Sequence, residues 1–168
     1  DSFLCGENGV REILKKNGAG ADISVMEGVM GYYDGIAGIS SEASAYDIAR
    51  ITDTPVVMIL DCKGLSVSAV PCIQGFLHYK EDSRIKGVIL NRLSPMMYGR
   101  MKEMIEVQTG IKVYGYVPVM KDCALESRYL GLKLPKERKD TEDKLTRLGE
   151  QILKSVDIAG LLELAENA

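Results

Sequence analysis

Val56-Val57-Met58-Ile59-Leu60 is an unbroken apolar run that stops at Asp61 and, shortly after, Gly64. A strand with one wet face alternates apolar and polar residues, so a continuous run predicts a strand covered on both faces, as in a parallel sheet. Val88-Ile89-Leu90 repeats the pattern, and shorter β-rich runs lie near 112–116 and 22–26, the last carrying Ile23-Ser24-Val25-Met26. Segments with helical spacing separate these runs. Ser40 or Ser41 is placed to cap a helix ending near Thr52, while Ser94 before Pro95 opens another that Gly110 closes. Strands alternating with helices predict an α/β fold, a parallel sheet with helices on both faces.

A length of 168 residues with 46% hydrophobic composition is enough for one domain with a buried core. The net charge is −3 and the 21 basic residues are scattered, which argues against nucleic acid as a partner. No apolar stretch approaches the roughly 20 residues of a membrane helix, and the first residues, DSFLCGENG, lack the basic start of a secretory signal, so a cytoplasmic location is expected. Cys5, Cys62, Cys72 and Cys123 are widely spaced, indicating free thiols rather than a zinc site or disulfide framework. The single histidine, His78, falls late in an expected helix and leaves no Cys-His or Ser-His-Asp set.

Towards the end, charge-rich KERKDTEDK from Lys136 leads into Leu145, Leu148, Ile152 and Val156, spaced as one face of a helix. Ile158-Ala159-Gly160-Leu161-Leu162 reads either as its continuation or as a short second helix. At the other end, Val10, Ile13 and Leu14 share a helical face. No GxxxxGK[ST] loop precedes the first strand, so the first βα unit is expected to be missing.

Residues 27–35, EGVMGYYDG, set two carboxylates and three glycines just beyond the 23–26 run. A strand ending in an acid and a glycine-rich turn presents both to the crevice at the carboxyl ends of a parallel sheet, a combination suited to a metal-bound phosphate. Each residue also has a plainer role. Glu27 can be a solvated loop acid, Asp34 a turn former before Gly35, and Gly28, Gly31 and Gly35 simple turn positions. Asn91 follows the third run; its carboxamide can read an adenine edge or cap a turn. Pro118 either shapes an adenine wall or terminates a strand, and Arg128 either pairs with an anionic ligand or with Glu126. Tyr32 and Tyr33 can line a macrocycle site or pack beneath the loop. Met96, Met97, Met101 and Met104 fit core packing better than a ligand surface, and Asp61, Lys63, Ser66 and Ser68 are secondary crevice candidates.

Together these segments resemble the synthetase domain of the cobyrinic acid a,c-diamide synthase family. The resemblance is carried by Asp1-Ser2-Phe3, EGVMGYYDG at 27–35, the Ser40-Ser41 start and Pro55-Val56-Val57. It continues through Gly87-Val88-Ile89-Leu90-Asn91-Arg92, Gly115-Tyr116-Val117-Pro118 and Arg128-Tyr129-Leu130-Gly131-Leu132. It implies a P-loop NTPase or dethiobiotin synthetase-like fold, with residues 1–168 a partial ATP-dependent synthetase (amidoligase) domain and no second domain within them. The P-loop is then expected before Asp1 and a glutaminase after Ala168, and the isolated segment is expected to be inactive.

The implied activity is ATP- and glutamine-dependent amidation of the a- and c-acetate carboxylates of cobyrinic acid through an acyl phosphate, in cobalamin biosynthesis. Its cofactors are Mg²⁺ and ATP, and its ammonia comes from a glutaminase domain. Glu27 corresponds to the metal-site acid, and Asp34 to a catalytic acid that also positions substrate. Gly28, Gly31, Asn91 and Pro118 fall at the nucleotide site; Gly35, Arg128 and Tyr33 fall at the substrate site. Tyr129 stands where the family carries histidine, leaving the role of Arg128 open. Hydrogenobyrinic acid and nickel-sirohydrochlorin are alternative substrates, homodimerisation is left open, and a non-catalytic regulatory or scaffolding module of the same fold is the competing class.

Overall fold

A computed structural model of the chain describes residues 2–124, 127–128, 131–132 and 141–167, the two short pairs by their backbone. The elements are α1 (Ser2–Gly18), α2 (Ala45–Thr52), β1 (Val56–Asp61), α3 (Ala69–His78), β2 (Ile85–Asn91), α4 (Pro95–Thr109) and β3 (Lys112–Val117). They continue with β4 (Ser127–Arg128), β5 (Gly131–Leu132), α5 (Thr141–Ser155) and α6 (Ile158–Glu166). The main sheet is parallel with strand order β1-β2-β3, and the α/β class read from the sequence holds. No helix among the described residues is long and apolar enough to cross a membrane.

One compact unit contains residues 1–57, 72–86 and 159–168. Its α1 bends at Gly6, whose φ of 65° lies outside the helical region, and beyond the bend turns Val10 inward. Helix α2 starts at Ser44, whose hydroxyl accepts the Asp47 amide at 3.2 Å. That is later than the expected start at Ser40 or Ser41. Ser40 instead spends its hydroxyl on the Glu42 amide, 3.0 Å away, closing a local turn. Helices α1 and α2 pack together through Asp47, which accepts from Ser2 Oγ (3.0 Å), the Ala43 amide (3.0 Å) and Arg50 (2.9 Å), while Arg50 also reaches Glu7 at 2.7 Å. Burial pushes the Asp47 carboxyl up, but these donors outweigh it and hold the group below the usual carboxylate range.

The expected strand at 22–26 does not form; the segment is irregular, with Ile23, Val25 and Met26 all exposed. An apolar run becomes a strand only when a neighbouring edge takes up its amides and carbonyls, and among the described residues the main sheet consists of β1, β2 and β3.

The second unit, residues 58–71 and 87–158, holds the parallel pairing of β2 with β3, in register from Gly87 opposite Lys112 to Asn91 opposite Val117 with an irregularity after Val88. Val88, Leu90 and Val113 are almost wholly buried. Pro95 and a left-handed Gly110 (φ 72°) bound α4 as the sequence predicts, and α4 packs on β3 with Met101 and Ile105 buried. Met96 and Met97 lie exposed on its opening turn, so the methionine set divides between core and surface. Glu106 joins helix to strand, accepting from Lys102 Nζ (2.6 Å) and the Val113 amide (2.9 Å). Gly115, at φ 147°, lets the α5 terminus approach: a Cβ there would sit 2.6 Å from Val156 Cα. Ser155 Oγ donates to the Tyr116 carbonyl at 2.6 Å and the Asp157 amide to that of Tyr114 at 2.6 Å. Residues 158–166 form the separate helix that was one of the two readings of the C-terminal pattern.

Candidate functional site

Residues 27–35 form an irregular loop rather than the end of a strand. Its second half is a closed turn in which the Asp34 amide donates to the Gly31 carbonyl at 2.9 Å. The two residues inside the turn, Tyr32 and Tyr33, are half-buried. Tyr32 Oη donates to the Ser83 carbonyl (2.6 Å) and Tyr33 Oη to the Phe76 carbonyl (2.7 Å). Their rings join those of Tyr46, Phe76 and Tyr79, with the Tyr33 ring centroid 4.8 Å from that of Tyr79 and 5.2 Å from that of Tyr46. Edge and offset aromatic contacts of this kind add to the area they bury. The Tyr32 carbonyl takes the Tyr46 amide at 3.0 Å, satisfying one of the open donors in the first turn of α2. Both tyrosines therefore pack beneath the loop.

The same cluster is electrostatically quiet. Tyr46 Oη donates to Asp82 Oδ1 at 2.6 Å, and that bond, with burial, pushes its phenol up to about 12. Burial first, then the neighbouring phenols, pushes Tyr32 well above the usual tyrosine range, and burial raises Tyr33 too. All three remain neutral donors near pH 7.

Above this floor the two acids face solvent. Glu27 and Asp34 are exposed, and among the described residues no hydrogen bond or ion pair occupies either carboxylate. Asp47, Asp61 and Glu106, by contrast, are committed to partners within the fold. Gly28 lies against α2, a Cβ there falling 3.0 Å from Ala45 Cβ. Gly35 is pressed onto the 40–42 backbone: its amide donates to the Ser40 carbonyl (2.9 Å), and a Cβ would lie 2.7 Å from that oxygen and closer still to the Glu42 carbonyl. No group of three or more His, Cys, Asp or Glu side chains able to hold a metal occurs among the described residues. Mg²⁺ does not require one, because it keeps several waters and uses one or two carboxylates together with substrate phosphates.

In the second unit, Asn91 ends β2 and its Oδ1 accepts the Arg92 amide at 3.0 Å, while its carbonyl accepts the Cys62 amide at 2.8 Å. The turn-capping role of Asn91 is present. Pro118 follows the end of β3 and is half-buried. Ser127 and Arg128 pair antiparallel with Gly131 and Leu132, whereas the side chain of Arg128, and Tyr129 altogether, lie outside the described residues.

The arginine beside Asn91 was not singled out from the sequence. Arg92 Nε donates to Asp61 Oδ1 at 2.6 Å and its Nη2 to Oδ2, a bidentate pair joining the carboxyl ends of β1 and β2. The Arg92 guanidinium, helped by the Lys63 amide, holds the exposed Asp61 carboxyl at about 2. An acid directly after one apolar strand and a base just past the next was the available signal.

Comparison with known proteins places this geometry in a family. A profile described as an AAA domain matches residues 7–127. The chain belongs to that family. It is 38% identical over 98% of its length to a cobyrinate a,c-diamide synthase from Caldanaerobacter subterraneus subsp. tengcongensis, of which it covers 36%. It is likewise 38% identical over its whole length to the synthase of that name from Listeria innocua (38% covered), and 32% identical over 99% to that from Saccharolobus solfataricus (37% covered). The resemblance read from the sequence is borne out, and the chain spans little more than a third of these relatives. No solved structure matches it.

Proposed function

We propose that this AAA-family segment is the substrate-activating part of an ATP- and glutamine-dependent synthase that amidates the a- and c-acetate carboxylates of cobyrinic acid. The observation that carries the reading is the 27–35 loop: two exposed carboxylates with no partner among the described residues, Asp34 on a turn anchored by the half-buried Tyr32 and Tyr33, in a chain similar throughout to cobyrinate a,c-diamide synthases.

A substrate carboxylate oxygen attacks the γ-phosphorus of ATP, the bond to the β-phosphate oxygen breaks, and ADP leaves. Ammonia released from glutamine by a further domain then attacks the acyl carbon. The C–O bond to phosphate breaks, phosphate departs, and nitrogen loses a proton to give the amide. The first step brings anion to anion, so positive charge must offset repulsion. Mg²⁺, when bound, supplies that charge, with Glu27 the residue of this chain that holds it. Asp34 positions the reacting carboxylate and its surroundings. It is not needed as a general base, because a carboxylic acid that titrates at about 4 is already ionised near pH 7. Gly28 and Gly35 keep the loop close to the fold, Asn91 offers its NH₂ to the adenine edge and Pro118 borders it, and Arg128 meets an anionic group of the substrate.

The test assays the full-length protein with ATP, Mg²⁺, glutamine and cobyrinic acid. Glu27→Gln is expected to lower diamide formation by about 100-fold and Asp34→Asn by a similar factor, with Glu27→Gln also raising the Mg²⁺ requirement by roughly 10-fold. Undiminished diamide formation in both variants rejects the assignment.

A further inference from the structure

We infer that Gly31 is a positioning residue whose absent side chain is the seat of the Asp34 carboxylate. A Cβ built on Gly31 would lie 2.7 Å from Asp34 Cγ and 3.2 Å from Oδ1, and nearer still to Oδ2. Atoms do not approach that closely, so any side chain at 31 turns the carboxylate off its place. The backbone gives no competing reason for glycine. Gly31 is not among the residues with positive φ, which include Gly6, Gly20 and Gly38 in the same part of the chain, so its φ does not call for glycine. The three atoms nearest to that Cβ all belong to Asp34.

The seat is rigid on both sides. The Asp34 amide is tied to the Gly31 carbonyl at 2.9 Å, and the intervening Tyr32 and Tyr33 are fastened to the Ser83 and Phe76 carbonyls. With the turn held from below, the carboxylate over Gly31 is the part that yields, through the side-chain torsions of Asp34. Alanine at 31 therefore displaces the acid while leaving the turn. This rests on the reading of Asp34 as a substrate-positioning acid, and it assigns Gly31 an action through Asp34 rather than a contact with nucleotide.

The test is a double-mutant cycle in the full-length protein with Gly31→Ala, Asp34→Ala and the pair, reading kcat and KM for the corrinoid, KM for ATP, and thermal unfolding. Gly31→Ala is expected to lower kcat/KM for the corrinoid at least tenfold, to leave KM for ATP within about twofold, and to have no further effect in the Asp34→Ala background. Independent, multiplicative losses overturn the inference, as does a Gly31→Ala protein as active as the parent. A rise in KM for ATP that persists in the Asp34→Ala background also overturns it, assigning the glycine to the nucleotide. If Gly31→Ala folds poorly, recovery of the parental Tm in the double variant supports the steric seat, and persistence of the defect rejects it. Full activity in Asp34→Ala alone removes the assignment of Asp34, and the positioning role of Gly31 with it, whereas the coupling in Tm still reports whether the contact exists.

Discussion

Gly31 and Gly35 border the same turn, yet their missing side chains face different atoms. At Gly31 the neighbour is the mobile end of Asp34; at Gly35 it is the carbonyl oxygens of Ser40 and Glu42, which belong to the backbone and cannot rotate aside. Gly35 has φ −122°, so its requirement is likewise space rather than handedness. Gly35→Ala is expected to destabilise the protein by about 1–3 kcal/mol, the usual range for overpacking against fixed atoms. Gly31→Ala should fall well below that. Urea denaturation of the two variants side by side checks the order, which reverses if the 40–42 backbone relaxes freely. The glycines were visible in the sequence as a group, but their separate reasons were not, because each depends on an atom brought close by the fold.

At the scale of elements, the two serine starts make a controlled comparison. Ser44 caps α2 with its hydroxyl on the Asp47 amide, whereas Ser94 makes no side-chain cap and α4 relies on Pro95 and the left-handed Gly110. Ser44→Ala should cost about 1 kcal/mol and Ser94→Ala no more than a few tenths, measured by chemical denaturation. Equal losses would show that the Ser44 bond contributes nothing net. The sequence placed the α4 boundaries correctly because proline and glycine act locally. It missed the α2 boundary because Ser40, Ser41 and Ser44 carry the same chemistry, and the Gly35 and Ile36 amides, bonded to Ser40 and Glu42 carbonyls, keep residues 40–43 out of the helix. The unformed strand at 22–26 is a miss of another kind: pattern reports the propensity of a run, while a strand also needs a partner, and residues 22–26 pair with none among the described residues.

For the molecule as a whole, titration gives a test at each end of the pH scale. The Asp61 carboxyl sits at about 2, below its unfolded value near 4, so its contribution is complete above about pH 4 and is lost as pH falls from there towards 2. Both partners are exposed, which keeps the effect small and sensitive to salt. The Tyr46 phenol, raised to about 12 against roughly 10 unfolded, contributes fully below pH 10, and that contribution disappears as pH rises towards 12. Stability followed by denaturation across pH should show the acid slope reduced in Asp61→Asn and the alkaline slope reduced in Tyr46→Phe. An unchanged slope in either variant refutes the corresponding bond.

The amino-acid sequence alone determined the α/β class, the three strands of the parallel sheet, both ends of α4 and the C-terminal end of α2. Each of these follows from periodicity or from the backbone preferences of residues close together in the chain. Tertiary structure decided that Tyr32 and Tyr33 lie beneath the 27–35 loop, that Asp34 folds over Gly31, and that Arg92 pairs with Asp61 across two strand ends. Those facts are contacts between residues whose separation in sequence, or whose orientation, is set only when the chain packs and distant hydrogen-bond partners choose among the conformations that local preference leaves open.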